Sequence, residues 1–423
     1  MAKQYDIIII GSGMAGLYSA YNIQKIAPET TFLILEKHKR QWIGGRTSNE
    51  TFYGTEVVTG AGIGRQDTNP LLIRLMNEIG VKYNKFDSIM NYSPLFSPLD
   101  IVTFVNKLKT ALKSHPELKG KTFRDAFIQI FGEKLYKQFA ISAGYTDYEK
   151  ADLVETLYNY GMDDNKGGWT GLHIPWKEMV ENLYNKIGKQ HFKFSSDVIA
   201  LKKLQEKPCL FEISVANGTK YYSNKVILAT TISGIKKLVP GANDKNSLYQ
   251  QIHGQPFLRL YGKFNKKSAE IMKKVVPNYT IVPGPLQKII PMNADKGVYM
   301  IAYSDNANAL VLKKYLENTA ENRDLYCDLL EQSLGIPKGT LQLTAIKDYY
   351  WPIGTHYYEP LRPTNQSSSR ITTRDAFVKA AQHPEKGLLV VGEVVSRYQG
   401  WTEGALESVK AVLSKTWVTN QCE

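Results

Sequence analysis

Apolar positions recur along the chain with two periods, and the changes of period mark its elements. Residues 7–10 are an unbroken isoleucine run, the pattern of a strand buried on both faces of a parallel sheet. Gly11-Ser12-Gly13-Met14-Ala15-Gly16 follows, after which Met14, Leu17, Tyr18 and Tyr21 recur at helical spacing until Pro28 stops the helix. Residues 31–35 form a second buried strand that closes on Glu36. Together they predict one βαβ unit with a right-handed crossover.

From about residue 71 to 190, lysine-rich amphipathic stretches with few strand signals predict a mostly helical insertion. Residues 211–215 and 220–230 flank Ala216-Asn217-Gly218-Thr219, a hairpin whose Asn-Gly pair supplies positive φ angles. The run at 257–264 alternates and 298–303 is apolar, so a second sheet is expected there, reaching towards Ile346. Residues 388–391 return to the fully apolar style, and a helix is expected near Gly404. Residues 365–369 are compositionally biased and predict an exposed loop. Strands of one style at the start, middle and end imply two interleaved domains.

Composition narrows the class. A chain of 423 residues, against roughly 150 per domain, predicts about three domain-sized units or two large ones. With 43% hydrophobic and 22% charged residues, wholesale disorder is excluded. No apolar run approaches the roughly 18 residues of a membrane-spanning helix. No export signal precedes residues 7–10, and the end of the chain has no hydrophobic tail, so a soluble, cytoplasmic protein is expected. Cys209, Cys327 and Cys422 lie far apart, so neither a disulfide framework nor a metal-ligand set is expected, which suits a reducing compartment. The net charge of +13 comes from lysines spread along the chain, without an arginine tract or a nucleic-acid motif. That spread reads as solvated helix faces. It makes nucleic acid an unlikely partner and slightly favours anionic or zwitterionic ligands.

The chemistry starts at Gly11-x-Gly13-x-x-Gly16, a weak signal alone. Here it leaves a strand and opens a helix, and Glu36 follows 20 residues after its last glycine. Gly11 permits the tight turn, Gly13 admits a pyrophosphate to the backbone, and Gly16 allows close helix–strand packing. The helix N-terminus, with Met14 and Ala15, offers donors and a positive dipole to the anion. Glu36, beside Lys37, can accept from ribose hydroxyls. The turn leaves open whether the dinucleotide is NAD or FAD.

Two further segments bear on that choice. Gly44-Gly45-Arg46-Thr47 and Thr59-Gly60-Ala61-Gly62-Ile63-Gly64-Arg65 come soon after Glu36. Near the end stand Gly392-Glu393 and Tyr398-Gln399-Gly400-Trp401-Thr402-Glu403-Gly404-Ala405-Leu406-Glu407-Ser408. In this order and spacing the set resembles the flavin-containing amine oxidase family, which includes monoamine, polyamine and L-amino-acid oxidases and histone lysine-specific demethylases. The resemblance spans nearly the whole chain, with a looser middle. It implies an α/β fold in which a Rossmann-like FAD-binding domain (1–70, 191–250 and 385–423) interleaves with a substrate domain (71–190 and 251–384) of mixed sheet plus helical insertion.

By that likeness Gly44, Gly45 and Arg46 would hold the pyrophosphate and flavin edge. Gly60, Ala61, Gly62, Ile63, Gly64 and Arg65 would run beside the ring, and Val198 would meet the adenine. Gly392 and Glu393 would meet ribitol or diphosphate. Gly400, Trp401, Thr402 and Ala405 would place a helix N-terminus at the ring. Trp401 and His356 would take the positions of the aromatic pair flanking the substrate amine, although histidine departs from the usual residue there. The segment 349–360 is dense in aromatic residues, so Trp351 and Tyr358, with Tyr398, would supply cavity walls. Arg259 would stand where many members carry a lysine facing flavin N5, and Arg65 offers a second carboxylate clamp. Thr355 and His356 occupy the place where a covalently linked flavin needs cysteine, so dissociable FAD is expected. The resemblance implies oxidation of a small amine or amino acid, with O2 reduced to H2O2. Two alternatives stay open: a flavin-dependent desaturase or protoporphyrinogen-oxidase-like enzyme, and a flavin-binding interaction protein with degraded catalysis. No metal set stands out, and the sequence leaves the oligomeric state open.

Overall fold

The apolar runs find one another. In the computed structural model, which describes residues 4–162, 167–206, 208–362, 364–366 and 369–420, strand Gln4–Ile10 lies parallel to Phe32–Leu35 and to Lys220–Leu228. Ile8 sits beside Leu33 on one side and Val226 on the other. Leu388–Val390 joins in parallel beside Lys220–Leu228, and Phe192–Lys193 extends the far edge. Val198–Glu206 and Cys209–Val215 add an antiparallel margin. The sheet therefore draws its strands from the start, middle and end of the chain.

Side chains alternate across a strand, so the isoleucine run feeds two cores. Ile7 and Ile9 pack with the helices Met14–Ile26, Trp176–Ile187 and Thr402–Val412. Ile8 and Ile10 pack on the opposite face with Ile232–Leu238 and Arg374–Gln382. Ile7, Ile8 and Ile9 are wholly buried, and each such burial stabilises by about 1.5–3 kcal/mol. The same burial on both faces explains why no polar residue interrupts the run.

A second, six-stranded sheet runs Leu343–Tyr358, Ile252–Phe264, Val298–Asp305, Lys288–Asn293, Tyr279–Ile281, Met90–Tyr92. Leu258 and Leu260 face its own core, whereas Phe257 and Arg259 face the cavity described below. The hairpin at 216–219 forms as expected, with Gly218 at φ +84°. The insertion contains the helices Ile101–Ser114, Phe123–Phe131, Glu133–Ala143 and Leu153–Asn159, packed around Phe123, Phe127 and Phe139.

Three features depart from expectation. Asn84–Asp87 and Thr170–His173 are strands inside the supposedly helical stretch; they pair with each other, and Thr170–His173 also pairs with Gly64–Arg65. Asn84–Asp87 is exposed throughout, so no alternation betrayed it. Thr364–Gln366 pairs antiparallel with Ser369–Ile371, where a loop was expected. Cys209 is disulfide-bonded, while Cys327 is free and buried; Cys422 lies outside the described residues. Disulfides belong mainly to oxidising compartments, so cysteine usage no longer supports a reducing one. Among the described residues, no helix is long and apolar enough to cross a membrane.

Candidate active site

A cavity of about 1950 Å³ runs from the first βαβ turn to the cavity-facing side of the second sheet. It is about twice the upper size of ordinary small-molecule pockets, large enough for a dinucleotide and a second ligand.

At one end, Gly11, Gly13, Met14, Ala15, Glu36 and Lys37 line the wall. No side chain caps the helix Met14–Ile26, so its first-turn N–H groups are left for a ligand. Gly11 has φ +105°, and a Cβ there would stand 2.4 Å from the Ala229 carbonyl oxygen. A Cβ on Gly16 would stand 2.0 Å from the Gly11 oxygen, so Gly16 acts in packing and does not reach the cavity. Around Gly13 there is open space, as a phosphate-binding position requires. Buried Glu36 accepts from Ser12 N (2.8 Å), Ser12 Oγ (2.8 Å) and His38 N (2.9 Å), which fixes its carboxylate at the strand end. Val198 lines the wall nearby.

The middle is built by Gly44, Gly45, Arg46, Gly392 and Glu393. Glu393 is buried, and its Oε1 accepts from Arg46 Nη1 (2.9 Å) and lies 2.5 Å from His356 Nδ1. Its Oε2 accepts from Gly400 N at 3.0 Å. Burial alone would raise the Glu393 carboxyl, but His356, Arg46 and the Gly400 amide outweigh it and hold it well below the usual carboxylate range. Arg46 also donates to the Gly354 carbonyl at 2.6 Å. One carboxylate thus joins three distant segments.

At the far end, Gly60, Ala61, Gly62, Ile63 and Arg65 face Arg259, Trp351, Trp401, Thr402 and Ala405. Trp176 holds the glycine segment through Nε1 to the Gly62 carbonyl (2.8 Å) and meets Trp401 edge-on with ring centres 6.0 Å apart. Trp401 donates from Nε1 to Asn69 Oδ1 (3.1 Å), which also accepts from Arg65 N (2.8 Å). Trp351 donates from Nε1 to the Thr59 carbonyl at 2.7 Å. Arg259 is buried, donates from Nε to the Gly60 carbonyl (2.6 Å), and lies 4.0 Å from the centre of the Tyr303 ring. Arg65 stacks on Trp169 at 4.7 Å, and burial lowers its pKa.

Most residues expected at the site therefore line one cavity, but Gly16, His356, Tyr358 and Gly64 do not. His356 lies behind Glu393, with its side chain fully buried and Nε2 accepting from Ile232 N (3.1 Å). The cavity-lining run of the long strand ends at Thr355, and His356 is the first residue beyond it. Tyr358 is core, edge-on to Phe377 at 5.5 Å and beneath Arg374 at 4.7 Å. Gly64 lies off the wall, where a Cβ would stand 2.7 Å from Ile174 Cδ1. Tyr398 lines the cavity and is 47% exposed.

No sequence signal pointed to the tyrosine-rich chamber formed by Tyr145, Tyr160, Tyr279 and Tyr303, with Asp147 in its wall. Tyr145 meets Tyr303 edge-on at 5.6 Å. Tyr145 follows the helix Glu133–Ala143, Tyr160 ends the helix Leu153–Asn159, and Tyr279 and Tyr303 stand on two strands of the second sheet, so no local spacing links them.

The fold and cavity define a two-sheet protein with a dinucleotide-binding βαβ unit. Residues 9–79 match the model of a family described as "NAD(P)-binding Rossmann-like domain". Among solved structures, the chain is similar to wild-type putrescine oxidase bound to putrescine, at 14% identity and a TM-score of 0.72, covering 97% of this chain and 98% of that one. A double mutant of putrescine oxidase, made for redesign of cofactor binding, matches at 14% identity and 0.72 over 96% and 98%. A triple mutant matches at 13% and 0.71 over 96% and 97%. The likeness shows a shared fold. No curated protein matches the sequence.

Proposed function

We propose that the protein is an FAD-dependent oxidase of small amines, including amino acids, that passes electrons to O2 and releases H2O2. The supporting observation is continuity: one cavity joins an uncapped helix N-terminus and Glu36 to a tyrosine-walled chamber under Trp401 and Arg259. The fold shared with putrescine oxidase adds to it.

The residues suit FAD. The first turn of Met14–Ile26 and Arg46 would take the diphosphate, Glu36 the ribose hydroxyls, and Glu393 the ribitol region. Arg46 is present as arginine, whose fork suits bidentate phosphate contact. Bound FAD would supply a two-electron acceptor for the hydride leaving the carbon that bears the amine. The protein's own part is to position the amine, exclude water and favour its neutral form. At pH 7 an alkylamine of pKa near 10.4 needs about 4.6 kcal/mol to lose its proton. Desolvation in the cavity and the positive charges of Arg65 and Arg259 in its lining disfavour the cation and lower that cost. Trp401, braced by Trp176 and Asn69, is a rigid wall for the substrate. Arg65 and Arg259 are suited to a substrate carboxylate, Arg259 with Nε already engaged at Gly60.

Purified, FAD-loaded protein screened for peroxide against amino acids, monoamines and polyamines tests this reading. Peroxide from at least one class is expected. Silence from all three, with FAD bound, contradicts it and leaves the desaturase-like or non-catalytic alternative.

A further inference from the structure

The chamber wall holds a further carboxylate, that of Asp147. Asp147 follows the helix Glu133–Ala143, is 8% exposed and lines the cavity. Among the described residues, Tyr160 is the one side chain that donates a hydrogen bond to its carboxylate, through Oδ1. Its neighbour Asp305 is different. Asp305 is buried, lies off the cavity wall, and accepts from Thr146 N (2.8 Å), Thr146 Oγ1 (2.6 Å), Asp147 N (3.1 Å) and Gln287 Nε2 (2.9 Å). It is therefore satisfied as an anion, and its charge presses on Asp147.

The balancing cation is withheld. Lys288 is wholly buried, and its Nζ has no hydrogen-bond partner among the described residues. It packs on the ring faces of Tyr145 and Tyr303, 4.4 Å from the centre of the latter. Asp147 is thus a buried carboxylate facing an open cavity with, among the described residues, no ammonium or guanidinium hydrogen-bonded to it, an arrangement that favours a cationic donor from outside. Its position is tied to the ring end of the cavity. The Asp147 carbonyl accepts from Gln255 Nε2 (2.8 Å), which also reaches Thr355 Oγ1 (3.1 Å). Thr355 in turn packs against Gly400, next to Trp401.

We propose that Asp147 is the base that takes the proton from the incoming substrate ammonium, with Tyr160 orienting the carboxylate and Asp305 and Lys288 setting its proton affinity. This rests on the amine-oxidase reading. In the step, an N–H bond of R–NH3+ breaks and an O–H bond forms on Asp147. The amine keeps the electron pair and becomes neutral, and the carboxylate becomes a carboxylic acid. No electrons pass to or from the protein, and the proton returns to water after the product leaves. The groups facing the carboxylate are Asp305, Lys288, Tyr148 and Tyr160, with Arg65 and Arg259 acting on Lys288. Burial, then Asp305, pushes Asp147 up to about 7 against Tyr160 and Lys288, close to the range in which a base works best at neutral pH.

The test uses the FAD-loaded enzyme and anaerobic flavin reduction by its best amine across pH. In wild type the rate should fall below an acid limb near pH 7. In Asp147→Asn that limb should move to the ionisation of the amine itself. Reduction at pH 7 should then be about 10²–10³-fold slower and recover to within about threefold by pH 10. Asp147→Glu should restore a limb near neutrality. A second readout needs no turnover: calorimetric binding of tert-butylamine, which has no hydrogen on the carbon bearing nitrogen, in two buffers of different ionisation heat. At pH 8 wild type should release almost no proton to the buffer and Asp147→Asn about one. An unmoved limb, or equal proton counts, overturns the role of Asp147. A wild-type flavin that no amine reduces at any pH overturns the oxidase reading itself.

Discussion

At the scale of single residues, buried charge decides the chemistry. Glu393 is held by Arg46, His356 and the Gly400 amide, and removing its charge leaves Arg46 with only the Gly354 carbonyl. Arg46 is partly exposed while Glu393 and His356 are buried, so weakening these contacts costs about 1–3 kcal/mol. Glu393→Gln should therefore lower the urea midpoint strongly and reduce the FAD retained on purification, whereas retention of both would remove Glu393 from its joining role. Asp147 gives the opposite sign. Its folded pKa of about 7 exceeds the ordinary 3.8, so the folded state holds its proton more tightly than the unfolded one. The penalty for ionising it is absent below about pH 4, grows between pH 4 and 7, and is complete above 7. Asp147→Asn should thus be more stable than wild type at pH 8, with the gap closing below pH 4, as denaturant titrations at the two pH values will show.

At the scale of elements, the first turn separates packing from binding. A Cβ at Gly16 meets the Gly11 carbonyl at 2.0 Å, whereas one at Gly13 meets nothing within 4 Å. Gly16→Val should unfold the protein at lower temperature with or without FAD. Gly13→Ala should leave the melting temperature of the FAD-free protein within about 1 °C and weaken FAD binding by at least about tenfold, since the methyl intrudes on the phosphate approach. Equal loss of apo stability in both variants contradicts this division. This turn was legible in the sequence because strand, glycines, helix and Glu36 lie within 36 consecutive residues with fixed spacing. The tyrosine chamber was not, because Tyr145, Tyr279 and Tyr303 meet only through tertiary packing. His356 was misplaced for a smaller reason. The cavity-lining run Asp348–Thr355 ends one residue before it, and His356 turns instead to Glu393 and the Ile232 amide. Asn84–Asp87 escaped notice because both its faces are solvent-exposed.

At the scale of the whole molecule, two sheets that are each discontinuous in sequence enclose one cavity. The first sheet supplies the end at the glycine turn, the second supplies Phe257, Arg259 and Tyr303, and Arg46, Gly354, Glu393 and Gly400 link them. A ligand that spans both should tie them together thermodynamically: saturating FAD, at about 100 times its dissociation constant, raises stability by about 2.7 kcal/mol. The most direct test is to add FAD to the protein stripped of it and then add amine under nitrogen. The account predicts one FAD per chain, a yellow protein, and bleaching of the visible flavin absorbance by at least one amine. A protein that takes up no FAD, or whose bound FAD stays oxidised with every amine and amino acid supplied, contradicts it.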